Sequence, residues 1–214
     1  MTAVDYNLAD LFESVVGMVP GRQALVHLAL PGDGAERRLT YAQLDAAADR
    51  LAGHLYDSGV RPGAHVGLHL YNGVEYLQSL FACLKIRAVP VNVNYRYVED
   101  ELAYLYDDAD LVALVFDASF TARVAAALPR APQLRHLVRV GTAPASAPEP
   151  HIAPVAFAEA EASGPAGRAA DGAPATTASS STPAAPPGCP RAWCGGRRTS
   201  SSPASAAAHP PGSR

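Results

Sequence analysis

The sequence predicts an α/β fold with a mainly parallel sheet. Helix-like and strand-like patterns alternate from the N-terminus to about residue 140, and residues 111–116 (LVALVF) are apolar at every position. Regular alternation is typical of crossover units, in which a helix joins two parallel strands. A strand that is apolar throughout is typical of a sheet covered on both faces.

The first elements are a helix and a hairpin. The helix has apolar residues at helical spacing and is expected to end at Pro20 and Gly21. Two strand-like runs, 23–30 and 36–40, flank the turn sequence PGDG and predict a β-hairpin. The apolar residues of the helix are Leu8, Leu11, Phe12, Val15 and Val16.

The second helix, over residues 40–59, has the clearest boundaries. Thr40 and Gln43 form a capping box at its start, and Gly59 is placed to end it in the left-handed conformation. Its apolar residues recur on one face, which is expected to be buried. They are Leu44, Ala47, Ala48, Leu51 and Leu55.

Strands are predicted at 65–71, 88–95, 111–116 and 134–141, with a helix in each interval. Asn72 is expected to cap the first of these helices, with Glu75 in its first turn. The residues expected to be buried in that helix are Val74, Leu77, Phe81 and Leu84.

The next helix, over residues 98–110, begins with Glu99, Asp100 and Glu101. Acidic side chains in a first turn favour the helix dipole, so we assign them no catalytic role. Leu102 and Leu105 are expected to face inward. A third helix is predicted over residues 118–128.

Composition excludes some classes of protein. The net charge of the 214-residue chain is −3, which does not favour binding to nucleic acid. The acidic N-terminus is unlike a secretory signal, and no apolar run is long enough to span a bilayer. Three cysteines do not form a disulfide framework. Together these features predict a cytoplasmic protein.

No catalytic, cofactor-binding or metal-binding residue is assigned from the sequence. His65 and His69 share one face of a strand, but no third metal ligand is evident, so we interpret them as packing or surface residues. Cys83 lies on an apolar helix face and is interpreted as an inert thiol. Cys189 and Cys194 have no matching second pair, which makes a zinc site a weak hypothesis.

The composition changes near residue 163. After Phe157 the chain contains no Val, Ile, Leu, Met, Phe or Tyr. Such a segment cannot bury enough apolar surface to offset its conformational entropy. The sequence therefore predicts an α/β domain over residues 1–162 and a disordered, low-complexity tail over residues 163–214.

Residues 5–160 resemble the N-terminal part of adenylate-forming, AMP-binding enzymes, and of acyl-CoA synthetases most closely. The resemblance lies in LTYAQLDAAADRLA, in GVRPGAHVGL and above all in AVPVNVNYRYVEDELAYLYDDAD. It implies ATP-dependent activation of a carboxylic acid, with Mg²⁺, to an acyl-adenylate, and then transfer of the acyl group to coenzyme A. The motif NVNYRYVEDEL favours a fatty or related hydrophobic acid.

The resemblance also implies a phosphate-binding loop, rich in Ser, Thr and Gly and ending in Pro-Lys-Gly, just after residue 160. No such loop is present in this chain, and its only lysine, Lys85, is in the wrong segment. We therefore expect an inactive fragment that binds ATP, Mg²⁺ and coenzyme A in no productive way.

A shifted reading frame explains the tail. Back-translated and read one base upstream, residues 176–202 can encode DDRFILYTGGTTGMPKGVVRRPEDIFF, whose centre is the expected loop. Cys189 then gives Met, Arg191 gives Lys, and Trp193 with its neighbours gives Val-Val. The first base of most shifted codons is a free choice, whereas the second and third bases are mostly fixed by the observed residues.

Two alternative functions remain. The chain could derive from an aryl-acid ligase or from a peptide-synthetase adenylation domain, since the residues that select the acid lie downstream. It could also be a non-catalytic binding module whose Pro/Ser-rich tail recruits partners.

Overall fold

The fold of residues 7–28 and 36–164 is described by a computed structural model. Its elements are α1 (Leu8–Met18), β1 (Gln23–His27), β2 (Arg37–Thr40), α2 (Tyr41–Asp57), β3 (His65–His69), α3 (Val74–Lys85), β4 (Val89–Asn92), α4 (Glu99–Asp108), β5 (Leu111–Asp117), α5 (Thr121–Ala127), β6 (His136–Val140), β7 (Val155–Ala156) and α6 (Phe157–Ser163).

The predicted α/β architecture is confirmed. Strands β4, β3, β5, β6 and β7 form, in that spatial order, a sheet in which every pair is parallel. Strands β1 and β2 form the predicted antiparallel hairpin. Its turn, and the tail with Cys189 and Cys194, lie outside the described residues. Strand β7 and helix α6 were not predicted from the sequence.

Helices cover both faces of the parallel sheet. Buried residues of α2, α3 and α6 pack on one face, and those of α4 and α5 pack on the other. Strand β5 contributes to both layers, as its unbroken apolar run predicts: Ala113 and Val115 face one layer, whereas Leu111, Leu114 and Phe116 face the other.

The boundary signals of α2 are confirmed. The Thr40 hydroxyl accepts a hydrogen bond from the Gln43 backbone N–H, and the Gln43 side chain accepts one from the Thr40 N–H. Gly59 has a φ of +97°. All five residues of the predicted apolar face are buried.

Two details of α3 differ from the prediction. Gly73, and not Asn72, is the N-cap residue, and no side chain caps the helix. The buried face runs through Val74, Gln78 and Ala82, whereas Leu77, Phe81 and Leu84 are only partly buried. The reason is that α1 covers a second side of α3: the rings of Phe12 and Phe81 stack with centroids 4.0 Å apart, and the Asn7 amide donates to the Leu84 carbonyl.

Two other predicted apolar faces are partly wrong. In α1, Leu8 and Leu11 are exposed, while Ala9 and Phe12 are buried. In α4, Leu102 is buried as predicted, but Tyr106 is fully buried where Leu105 was expected. Spacing alone cannot separate neighbouring positions on a helix that packs at an angle to its neighbours.

Lys85 joins three helices. Its side chain is 3% exposed, and its Nζ lies 2.9 Å from Glu13 Oε1, 2.8 Å from Asp45 Oδ1 and 2.7 Å from Asp49 Oδ1. Burial lowers the pKa of the amine, but the three carboxylates outweigh it and raise the pKa above its usual value. Burial raises the pKa of Asp49, and Lys85 opposes that rise.

None of the helices in the described ranges is long and apolar enough to cross a bilayer.

Replacement of Lys85 by methionine is expected to lower the free energy of unfolding by about 3 kcal/mol, because three clustered carboxylates lose their counter-charge. The loss should shrink as the pH falls towards the raised pKa of Asp49, because protonation of that carboxyl relieves part of the repulsion. Urea denaturation at several pH values measures it. Arg130→Met, in an exposed ion pair with Asp100, is the control and should cost less than about 1 kcal/mol. Equal losses in the two variants would contradict a structural role for the cluster.

Gly67 of β3 leaves no room for a side chain. A Cβ there would lie 2.7 Å from Leu114 Cδ1 and 2.8 Å from Leu111 Cδ1. Gly67→Ala is therefore expected to lower the free energy of unfolding by about 1–3 kcal/mol. Gly17→Ala, in α1 with nothing within 4 Å, should instead raise it by about 0.5–1 kcal/mol. Thermal or urea unfolding of both variants measures the two changes in the free energy of unfolding, which should have opposite signs.

Candidate functional site

The carboxyl edge of the parallel sheet is the candidate site. From β3 the chain passes through α3 to β4, which lies on one side of β3 in the sheet. From β4 it returns through α4 to β5, which lies on the other side of β3. In doubly wound sheets ligands bind at the carboxyl edge where the strand order reverses. The strand order therefore predicts a crevice between the ends of β3 and β5, next to His69 and Asp117.

His69 is a packed residue at this edge. It is fully buried, and its ring stacks on Phe120 with centroids 4.2 Å apart and planes 4° apart. Its Nδ1 lies 3.4 Å from the Tyr106 hydroxyl, and its Nε2 has no hydrogen-bond partner within the described part of the chain. Burial, together with the nearby charge of Arg123, lowers the pKa of His69 to about 4. The imidazole is therefore neutral near pH 7.

Asp117 caps a short turn at this edge of the sheet. Its Oδ1 accepts hydrogen bonds from the backbone N–H of Ser119 at 2.8 Å and from the Ser119 hydroxyl at 2.6 Å. These bonds cap the short 3₁₀ turn Ala118–Phe120 that leads into α5. The carboxylate is consequently oriented towards the backbone of its own loop.

A cleft of about 770 Å³ opens beside β3 and β4 at the same edge. The Tyr71 and Tyr95 rings meet across it with centroids 5.4 Å apart. Its lining is made of phenol, amide and aliphatic groups, which suit a planar or hydrogen-bonding ligand but supply no strong base. The lining residues are Leu70, Tyr71, Asn72, Tyr76, Asn92, Val93, Asn94, Tyr95 and Tyr97.

The described residues contain neither an available lysine nor a phosphate-binding loop. Their only lysine, Lys85, is buried among three carboxylates at the end of α3 and cannot donate to a phosphate. None of the strand-to-helix loops in this part of the chain carries the run of Gly, Ser and Thr that cradles phosphate oxygens.

The other residues weighed as candidates in the sequence analysis make contacts that stabilise the fold. His65 Nδ1 lies 2.6 Å from the Ala109 carbonyl oxygen, and no metal-ligand cluster in the described ranges contains His65 or His69. Cys83 is a buried free thiol, and burial raises its pKa to about 12. The Glu101 carboxylate accepts a hydrogen bond from the Val98 N–H at the start of α4.

Residues 12–187 match the sequence profile of the family described as AMP-binding enzyme. The chain is 44% identical over 134 residues to a 3-oxocholest-4-en-26-oate–CoA ligase of Rhodococcus rhodochrous, covering 63% of this chain and 23% of the relative. It is 43% identical over 138 residues to a medium/long-chain-fatty-acid–CoA/3-oxocholest-4-en-26-oate–CoA ligase of Mycobacterium marinum, covering 64% of this chain and 24% of that relative. The chain thus spans about a quarter of the length of these relatives.

A solved structure of a putative long-chain-fatty-acid CoA ligase from Rhodopseudomonas palustris superposes with a TM-score of 0.61 at 26% identity, covering 74% of this chain and 37% of the other. Profile, relatives and fold agree, and this chain belongs to the AMP-binding enzyme family.

Proposed function

We propose that this chain is the first part of an acid–CoA ligase whose complete form activates a hydrophobic carboxylic acid with ATP and Mg²⁺ and transfers it to coenzyme A. The observation that carries the proposal is the 44% identity to a ligase of a steroid acid. The second relative is named for medium- and long-chain fatty acids as well as the steroid acid. A fatty acid or an acid with a steroid skeleton is therefore the proposed substrate, and the cytoplasm the proposed location.

In this proposal the described residues are scaffold. They supply the covered sheet and an open carboxyl edge, but no cradle for phosphates and no free lysine. The groups that bind ATP would come from the chain after residue 164. As written, that part of the sequence contains no lysine and no phosphate-loop motif. We accordingly propose that the chain itself is inactive.

The proposed change of reading frame lies between Gly164 and Thr176. The packing of α6 supports Gly164 as the upstream limit. Phe157 and Ala160 are buried in the core, and a Cβ at Gly164 would lie 1.7 Å from the Arg50 carbonyl oxygen. A glycine is required at this contact, which favours residue 164 being read in the frame that encodes the fold.

The alternatives are less well supported. The curated relatives above 40% identity are named for fatty or steroid acids, which favours these substrates over aryl acids or amino acids. If the chain were a binding module with a partner-recruiting tail, natural selection would act on the tail in the frame in which it is translated here. The shifted frame, which spells a phosphate loop across residues 182–192, favours the interrupted enzyme.

We expect the purified chain to catalyse no ATP–pyrophosphate exchange with medium-chain, long-chain or steroid acids. Insertion of one base between codons 164 and 176, with the downstream gene expressed in the restored frame, should produce acid-dependent exchange. The reason is that the insertion supplies the loop YTGGTTGMPKG. Exchange of labelled pyrophosphate into ATP measures both proteins.

The matched control is the restored enzyme with the new loop lysine changed to alanine, which should lose most of the exchange while keeping the same fold by circular dichroism. Measurable exchange by the unaltered chain would sink the proposal that it is inactive. Exchange by the restored enzyme with aryl acids alone would reject the proposed substrate class.

The coding DNA offers a separate test of the frame. Read one base upstream, codons 176–202 should contain no stop codon, and the codon of Arg191 should be AGG preceded by A, which gives the Lys-Gly of the loop. A CGN codon at Arg191 would exclude the shifted loop. Direct sequencing of the gene settles this point without any protein.

A further inference from the structure

The outer side of α1 is apolar and exposed. Leu8, Leu11 and Met18 are 64%, 58% and 73% exposed, and Val15 between them is partly exposed. Single exposed apolar residues are ordinary on a protein surface. These four, however, follow the alternating spacing of three and four residues that lines up side chains along a helix, as in a coiled coil. We call this line of Leu8, Leu11, Val15 and Met18 the α1 seam.

Within α1, no charged side chain lies on the side of the seam. The two charged residues of the helix turn inward: Asp10 Oδ2 lies 3.1 Å from Arg87 Nη2, and Glu13 Oε1 lies 2.9 Å from Lys85 Nζ. A surface helix normally presents its charged residues to water and its apolar residues to the core. Helix α1 instead uses its charges on the packed side and turns an uncharged side outward.

The seam can be covered without leaving a polar side chain of α1 unpaired. Ser14 is the one uncharged polar residue of the helix, and its hydroxyl already donates to the Asp10 carbonyl oxygen at 2.8 Å. A buried polar group without a partner costs free energy, and Ser14 avoids that cost within its own helix. Beside it, Gly17 has nothing within 4 Å of the position of a Cβ, which leaves a partner room to approach.

The spacing of the seam is complementary to itself. In an antiparallel pair of α1 helices, with a two-fold axis at the level of residue 13, Leu8 meets the partner's Met18 and Leu11 meets the partner's Val15. A two-fold interface uses the same surface of both subunits. Because the seam carries no charge, this pairing brings no like charges together.

Other occupants fit the seam less well. A helix that lies in a membrane surface carries Lys and Arg along its polar side, whereas the charged residues of α1 are Asp10 and Glu13. The remainder of a complete enzyme, after residue 164, would have to supply a different apolar surface of matching spacing. A second copy of the chain supplies one by symmetry.

We propose that the α1 seam is the contact between two copies of this chain, packed antiparallel about a two-fold axis. Helix α1 has 11 residues and is about 16 Å long, so the contact is smaller than the roughly 800 Å² per partner of a standard interface. The dimer is therefore weak and reversible, with a dissociation constant on the order of 100 µM. Added salt should not weaken it, because no ion pair contributes to the contact.

Sedimentation equilibrium of the full chain, from about 10 µM to about 500 µM, measures the association. A reducing buffer keeps the three cysteines from forming disulfides. We expect a monomer–dimer equilibrium that high salt does not weaken. Leu11→Glu should weaken it by more than about 10-fold, because a carboxylate would be buried against the partner's Val15. The control is Tyr104→Lys, which also replaces an exposed apolar residue, on α4, by a charge and should associate as the parent does.

A mixing experiment tests the antiparallel register. Val15→Lys alone should weaken association, as Leu11→Glu does, because an ammonium group would be buried against the partner's Leu11. In a mixture of the two variants, antiparallel packing brings the new carboxylate of one chain against the new ammonium of the other. The mixture should therefore associate about 10-fold more strongly than either variant alone. Parallel packing would place position 11 opposite position 11 and give no such gain.

A chain that stays monomeric at about 500 µM, or that associates equally well as Leu11→Glu, would overturn the proposal. Absence of a gain in the mixture would overturn the antiparallel arrangement. Leu11 is mostly exposed, so its variant is expected to fold, and circular dichroism checks this.

The enzyme with the restored reading frame provides the last comparison. If the present chain dimerises and the restored enzyme does not, the downstream chain covers the seam, and the proposed contact between copies is wrong. None of these measurements requires ATP or an acid, so their outcome is independent of the proposed enzymatic function.

Discussion

A parallel sheet must be covered on both faces, and the rest of this structure depends on that requirement. Strand β5 lies at the centre of the five strands and sends apolar side chains into both layers. The helices that connect the strands supply the cover, α2, α3 and α6 on one side and α4 and α5 on the other. The direction of the connections reverses at β3, and this reversal opens the crevice at the carboxyl edge.

One amino group joins the outer helix α1 to both α2 and α3. Lys85 at the end of α3 contacts Glu13 of α1, and Asp45 and Asp49 from successive turns of α2. An ammonium group has three protons and here meets three carboxylates. The contact ties α1 to the two helices beneath it. It also explains why the only lysine in the sequence is not a candidate for binding phosphate.

The division between scaffold and chemistry follows from the same geometry. The carboxyl edge carries tyrosines and asparagines around an open cleft, with a buried neutral histidine behind them. Such a surface can orient a ligand, but the described residues contain no strand-to-helix loop rich in Gly, Ser and Thr, and their only lysine, Lys85, is engaged by three carboxylates. The proposed reading-frame change places such a loop and a lysine in the DNA that follows codon 164, which agrees with the position of the phosphate loop implied by the family resemblance.

The sequence by itself determined the alternation of strands and helices, the double-sided burial of β5, the boundaries of α2 and the family. Each of these depends on local spacing or on a linear motif, so no knowledge of neighbours is needed. Tertiary structure decided which faces of α1, α3 and α4 are buried, and it added β7 and α6. It also brought Lys85 to its carboxylates and His54 to His136, residues 82 positions apart in the chain. Such pairs are set by the angle at which helices cross the sheet, and no spacing in the sequence encodes that angle.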